Sequence, residues 1–592
     1  MKDLDQYWRY SFVGALLCAA AIGIVLRIMS IQADPQRLKQ LEAEIEQVTK
    51  VQKTIVPARG QIYDRWGNLL AGNKKVYEIG VELQDVEDPQ FIAHAVSMIV
   101  PDIKYEYVFS MASLKPSPSA VYATLTRFAP QEAVDKLELL KKQLEEDYAA
   151  NGKDAPSLRG LVYYPHLERY YPEKALASNI LGFVSRDNQG YFGVEERFNE
   201  LLSGKARTVL VPTDPNRVEE IPEVPNGASL VLTIEREVQL AMEEIIDDAV
   251  AETGSASGTL VVMNPKTGEI IAMATTPRID LNEYWRLEEV FPRGSNIPFN
   301  RAVGQAYEPG SVFKPLTMAI ALDTGAVTPD TVFVDTGSIE VGGIFIVNWN
   351  RGAWGPQDMT GCLQHSLNVC LAWVATQIGP NNFYRGLQAF GLGHLTGVDL
   401  AGEVAGRLKA PGDNDWFASD LGTNSFGQGI AVTPVQMAAA ISAIANNGVM
   451  MTPKIVRSVI NDGYQHDIEQ RVIGMPIKPE TARTLSEMLA RSLEKESSDA
   501  LVPGYRVAGK TGTAEIPIPG QGYTSNQTNA SFVGWGPVDD PQFLVYVWLE
   551  KPSTSPWGSV VAAPVFRRAV EKLVIYLNLP PDDVRRRLAS SN

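Results

Sequence analysis

Cysteine and histidine are scarce, at three and five in 592 residues. No CxxC pair occurs and the histidines are scattered, so neither a structural metal nor a cofactor is expected. Cys18 lies in an apolar run, while Cys362 and Cys370 flank one short segment. On one continuous helix their Cα atoms would stand about 12 Å apart, too far for a disulfide, and only a break in that helix would weaken the exclusion. The pair therefore reads as small buried apolar side chains rather than redox groups. Basic charge is also short: 53 Lys and Arg face 69 Asp and Glu, for a formal net charge of −16. That balance excludes nucleic acid as the main partner, because phosphate binding needs a basic surface. Repeats of solenoid period and low-complexity tracts are absent. Apolar and charged contents of 45% and 21% are ordinary for folded chains, and the length calls for more than one core.

Long hydrophobic runs are limited to one, "SFVGALLCAAAIGIVLRIMSI" (Ser11 to Ile31), interrupted only by Arg27 near its end. Roughly 20 apolar residues span a bilayer, and an arginine near the end can snorkel to the interface. A buried soluble helix and a cleaved signal peptide are the rival readings. The run is long for a signal peptide, and no clear small-x-small site follows in "SIQADPQ". An uncleaved single-pass anchor is expected, with residues 1–33 as tail and membrane helix. Lys2 and Arg9 before it and Arg37 and Lys39 after it orient the span only weakly. Everything after Gln32 then lies on one side of the membrane.

Residues 34–230 read as a mixed α/β domain without a catalytic cluster. A charged helix is expected over 35–52. Strands joined by a turn at Asp64-Arg65-Trp66-Gly67-Asn68 follow, then a charged helix near Pro130–Gly152 and a short amphipathic one from Val194 to Arg207. Prolines and Gly227 in "IPEVPNGASLVLTIEREVQ" mark a boundary before a strand at Ser229–Ile234 and a helix to about Glu252. The second domain, 231–592, opens with a hairpin around Asn264-Pro265-Lys266-Thr267-Gly268. A largely helical middle runs from Ser311 to about Ser497. Strands return in "YRVAGKTGTAEI", "ASFVGWGPV" and "QFLVYVWLE", before a last helix at Val561–Leu577. The class is α+β: one antiparallel sheet built from both ends of the domain, with a helical subdomain against it.

Three short motifs carry chemistry. "YEPGSVFK" places Ser311 and Lys314 at i and i+3, on one face of the first turn of a buried helix. A serine hydroxyl needs a base to act as a nucleophile, and a lysine serves only when burial or nearby cations lower its pKa. The bland alternative is a helix cap beside a snorkelling lysine. "HSLNVC" carries Ser366 and Asn368 just before an apolar helix, where both are also common as caps. "VAGKTGTAE" carries Lys510, Thr511, Gly512 and Thr513 on a predicted strand. Glycine inside a strand marks close approach of another backbone, and an exposed edge of that kind can accept an extended peptide. Lys510 and the threonine hydroxyls suit a carboxylate.

The order SxxK, SxN, KTG resembles that of class B penicillin-binding proteins, the membrane-anchored monofunctional peptidoglycan D,D-transpeptidases. The resemblance runs over nearly the whole chain. "RGQIYDRWGNLLA" is similar to the opening of the family's non-catalytic pedestal, or dimerisation, domain. "NPKTGEIIAM", "NRAV", "YEPGSVFK" and "SFGQGIAVTPVQMAAAISAIANNGVMMTP" are similar to its penicillin-binding transpeptidase domain, of β-lactamase-like fold. It implies a reaction in which Ser311 attacks the penultimate D-Ala carbonyl of a stem peptide and Lys314 takes its proton. Ser366 would relay a proton, Asn368 would hold substrate amide and lysine, and Lys510, Thr511 and Thr513 would bind the terminal carboxylate. Backbone amides of Ser311 and Thr513 would form the oxyanion hole. It implies covalent inhibition by β-lactams, a bacterial cytoplasmic-membrane location with the catalytic domain outside, and a SEDS-type glycosyltransferase and divisome proteins as partners. "YEPGS" is more similar to the septal than to the elongation type. The rival readings are an elongation-type transpeptidase, a β-lactamase, which needs fast deacylation, and an inactive wall-synthesis scaffold.

Overall fold

The computed structural model describes residues 3–32, 39, 50–151, 156–212, 224–496, 498–518, 522–523 and 527–590. They fall into two compact units, residues 1–57 with 204–226, and residues 58–203 with 227–592. In the first, the helix Asp3–Gln32 contains a 23-residue stretch, Trp8–Ser30, long and apolar enough to cross a membrane. Lys50–Ile55 pairs antiparallel with Arg207–Pro212. Most of the charged helix expected over 35–52 lies outside the described residues. Its last three residues are strand, because Val51 alternates with polar neighbours and pairs with Val211.

The second unit contains two large sheets. One has seven strands, and its central strands run Val456–Asn461, Ser229–Leu232, Ile62–Tyr63, Leu69–Glu82, Tyr122–Pro130, with Leu161–Tyr170 also paired to Leu69–Glu82. Asp64 builds the expected turn: its carboxylate accepts from the backbone of Trp66 and Asn68 at 2.9 and 2.8 Å and from Asn68 Nδ2 at 2.8 Å. Behind the sheet, Glu195 is fully buried between Arg59 and Arg169, accepting from their Nε atoms at 2.8 and 2.7 Å. Burial of three charges is tolerable only because each is paired.

The other sheet holds the expected strands from both ends of the domain. Strands β1 (Ser257–Met263), β2 (Ile270–Thr275), β3 (Ala508–Glu515), β4 (Thr528–Gly536) and β5 (Phe543–Glu550) lie in the order β2-β1-β5-β4-β3, all antiparallel. β5 is buried on both faces and divides its side chains by strict alternation. Phe543, Val545, Val547 and Leu549 join the core formed with helix α1 (Arg236–Thr253) and the helix Ala563–Tyr576. Leu544, Tyr546 and Trp548 join the larger core of the helical subdomain. That subdomain includes α2 (Lys314–Asp323), α3 (Met359–Gln364), α4 (Asn368–Ile378), α5 (Pro434–Ala445) and α6 (Pro479–Glu496). α5 starts with a capping box between Thr433 and Gln436 and has Pro434 in its first turn.

The middle of the domain is less helical than expected. Ser338–Val341 and Ile344–Val347 form a hairpin around Gly342-Gly343, and Val456–Asn461 pairs with both Tyr464–Asp467 and Ser229–Leu232. Positive φ at both glycines gives the first turn its geometry.

Candidate active site

Ser311 sits in a single 3-10 turn, Gly310–Phe313, that runs straight into α2. The expected helix thus begins one tight turn later than Ser311. Pro315 falls in the first turn of α2, where its missing N–H costs nothing, and apolar residues from Leu316 to Ala321 fix the helix in the core. Lys314 is 0% exposed. Its Nζ lies 2.6 Å from Ser366 O, 3.0 Å from Ser366 Oγ and 2.8 Å from Asn368 Oδ1.

Those three oxygens come from the junction of α3 and α4. Ser366 has φ +52°, a left-handed conformation that serine seldom adopts, and it turns the chain between the two helices. Asn368 opens α4 and donates through Nδ2 to Val347 O at 3.3 Å. His365 is a structural neighbour: its ring stacks on Trp354 with centroids 4.2 Å apart.

Lys510, Thr511, Gly512 and Thr513 lie on β3, the outer strand of the sheet. Lys510 is buried, with Nζ 3.3 Å from both Thr511 O and Thr511 Oγ1. Gly512 is crowded from two sides: a Cβ there would meet Ser531 Oγ of β4 first and would come within 2.8 Å of Val312 Cγ1 and 3.3 Å of Pro309 O in the serine turn. Thr513 Oγ1 accepts from the backbone N–H of Gly558 at 3.0 Å. All eight residues singled out in the sequence therefore come together where the serine turn, the α3–α4 junction and the sheet edge meet.

Two influences at the site oppose the charged form of Lys314. Burial pushes Lys314 well below its ordinary pKa, and the nearby Lys510 pushes in the same direction. Lys510 itself is lowered to about 8 by burial, against an upward pull from Glu496 at the end of α6. A neutral amine has two hydrogens and one lone pair. Ser366 O and Asn368 Oδ1 can only accept, so they take both hydrogens, and the lone pair is left for a hydroxyl proton from Ser366 or a neighbouring nucleophile.

Two features escape the sequence reading. Cys362 and Cys370 form a disulfide, with Cα atoms 6.0 Å apart, which corrects the expectation of two unbonded apolar side chains. The physical reason is the left-handed turn at Ser366: the two cysteines sit on separate helices that fold toward each other. Trp349 and Trp557 also meet edge to face, with centroids 5.5 Å apart. Trp349 donates through Nε1 to His365 O at 3.1 Å, beside Ser366, while Trp557 precedes Gly558, the donor to Thr513. The two rings thus link the α3–α4 side of the site to the sheet side. No spacing rule connects residues so far apart, and nothing in their local sequence marks them.

Comparison with known proteins agrees with this arrangement. Residues 258–571 match the penicillin binding protein transpeptidase domain, and residues 54–227 match the penicillin-binding protein dimerisation domain. Stage V sporulation protein D of Bacillus subtilis is 31% identical over 541 residues, covering 89% of this chain and 79% of that protein. Peptidoglycan D,D-transpeptidase FtsI of Escherichia coli is 26% identical over 592 residues, covering 97% of this chain and 93% of that one. The crystal structure of penicillin binding protein 3 from Mycobacterium tuberculosis complexed with aztreonam aligns with a TM-score of 0.67 at 25% identity, over 89% of this chain and 98% of that one. The chain belongs to the penicillin-binding proteins, and within them to class B, in which a transpeptidase domain follows a dimerisation domain.

Proposed function

We propose that this enzyme cross-links peptidoglycan stem peptides as a serine D,D-transpeptidase, in septal wall synthesis during division, and that β-lactams inhibit it covalently. The observation that carries the reading is the buried, charge-suppressed Lys314, held by Ser366 and Asn368 directly behind the Ser311 turn. In this scheme Ser311 Oγ attacks the penultimate D-Ala carbonyl as Lys314 Nζ takes its proton. Backbone amides of Ser311 and Thr513 stabilise the oxyanion. Ser366 relays the proton to the departing D-Ala amine, and an amine from a neighbouring stem then resolves the acyl-enzyme. The donor peptide lies along the open edge of β3, with its carboxylate on Lys510, Thr511 and Thr513 and its amide on Asn368.

The septal assignment is supported by similarity to FtsI and by Glu308 of "YEPGS", whose carboxylate accepts from Tyr523 at 2.8 Å. Residues 1–33 would anchor the chain once in the bacterial cytoplasmic membrane, with 34–230 as pedestal and 231–592 as catalytic domain outside. A SEDS-type glycosyltransferase and divisome proteins are the expected partners, reached through the anchor and pedestal. Incubation of the full-length chain in detergent with a fluorescent penicillin, followed by peptide mapping, tests the core of this reading. A stable adduct on Ser311, lost in Ser311→Ala, is expected. Rapid turnover without an adduct points to a β-lactamase, and no reaction from folded protein points to a scaffold.

A further inference from the structure

Outside the apolar anchor the chain has only two cysteines, and they are bonded to each other across the α3–α4 junction. Both are 0% exposed. The covalent ring they close contains Ser366 and Asn368. Every hydrogen bond that Lys314 Nζ makes ends inside that ring, on Ser366 O, Ser366 Oγ and Asn368 Oδ1. Ser366 is held there in a left-handed conformation, which an unconstrained serine leaves readily. Hydrogen bonds also tie the junction: Ser366 N–H donates to Leu363 O at 3.2 Å, Leu367 N–H to Cys362 O at 3.0 Å, His365 N–H to Gly361 O at 2.9 Å and Val369 N–H to Asn348 Oδ1 at 3.2 Å, but the disulfide is the one covalent cross-link that spans it.

We propose that the Cys362–Cys370 disulfide is a positioning device for the transpeptidase reaction, holding Ser366 and Asn368 in register with Lys314. This rests on the assignment of Ser311 and Lys314 as nucleophile and base. The cysteines touch no substrate. They act through the junction whose carbonyl, hydroxyl and amide oxygens surround the lysine amine. Lys314 and both cysteines are fully buried, while Ser366 and Asn368 are half-buried between them and solvent. Among the described residues, Lys510 on β3 is the charged group that acts on Lys314, and it opposes the charged form. Loss of the bridge lets the junction relax, admits water beside Nζ and favours the protonated lysine, which cannot accept the serine proton.

The test uses the full-length chain in detergent. Maleimide labelling after denaturation should modify one cysteine, the free Cys18, and three after reduction. Three without reduction would remove the bridge and the proposal with it. Acylation by a fluorescent penicillin is then followed across pH for wild type and for Cys362→Ala/Cys370→Ala. The expected result is acylation at least about tenfold slower at neutral pH, with the rising limb of the pH profile displaced to higher pH. A merely structural bridge would lower the labelled fraction in step with the folded fraction seen by circular dichroism and leave that limb in place, which overturns the proposal. An unchanged rate and limb overturn it equally. Failure of Ser311 to label in wild type is distinguishable, because it sinks the underlying active-site assignment while leaving the cysteine count intact.

Discussion

Gly310 immediately precedes Ser311, and Gly310→Ala should damage acylation far more than its size suggests. Gly310 has φ +62°, so any side chain there carries a left-handed penalty of about 1–2 kcal/mol. It also faces β3: an added Cβ would lie 2.8 Å from Thr513 O and 2.8 Å from Ala514 Cβ, where ordinary contact begins at 3.4 Å. Thr513 O is backbone and cannot rotate away, so the serine turn and the strand must separate by about 0.6 Å, an overpacking cost of about 1–3 kcal/mol. That gap lies between Ser311 and Thr513, the two residues whose amides are assigned to the oxyanion. A misplacement of this order should slow acylation by about 10²-fold. Gly325, beyond the other end of α2, is the matched control. It has φ +72° but no atom within 4 Å of an added Cβ, so Gly325→Ala incurs the backbone penalty alone. Stopped-flow acylation by a fluorescent penicillin and denaturant unfolding, run side by side, separate the two. Both variants should lose stability, and only Gly310→Ala should lose rate. Equal rates in the two would refute the claim that contact between the serine turn and β3 sets the reacting geometry.

Other perturbations test other parts of the arrangement. Lys510→Ala removes the cation that helps depress Lys314, so the Lys314 pKa should rise and the rising limb of the acylation–pH profile should move to higher pH; an unmoved midpoint would mean the two amines are screened from each other. Trp349→Ala and Trp557→Ala should each loosen the link between the two sides of the site. A double-mutant cycle on unfolding should return a coupling of about 0.5 kcal/mol, and strict additivity would show that the rings do not meet in solution. Glu195→Gln leaves the buried guanidiniums of Arg59 and Arg169 without a counter-charge. Urea unfolding of the second unit should show a loss of about 3–5 kcal/mol, and a loss under about 1 kcal/mol would contradict the buried triad.

What the sequence made legible follows from how each feature is encoded. Ser311 and Lys314 are neighbours on one turn, Ser366 and Asn368 on one junction, and Lys510 to Thr513 on one strand, so each pair or set is visible as a local spacing. The hairpin at Gly342-Gly343 is local and its turn signal was overlooked, whereas the other missed features depend on contacts between separate segments. Val456–Asn461 becomes a strand because Ser229–Leu232 offers it an edge more than two hundred residues earlier, and Trp349 finds Trp557 only after the sheet and helical subdomain have closed. The cysteine pair shows the limit most clearly. Its spacing forbids a bridge on a continuous helix, and that argument was sound. It failed because one residue, Ser366, adopts a backbone conformation that its side-chain type disfavours. A site that needs a hydroxyl at a fixed point beside a buried amine can impose such a conformation against local preference, so the same requirement that places Ser366 beside Lys314 also brings Cys362 within reach of Cys370. The departure from helical geometry and the chemistry of the site are therefore one observation: local rules fail there because tertiary contacts hold the junction in the arrangement that Lys314 requires.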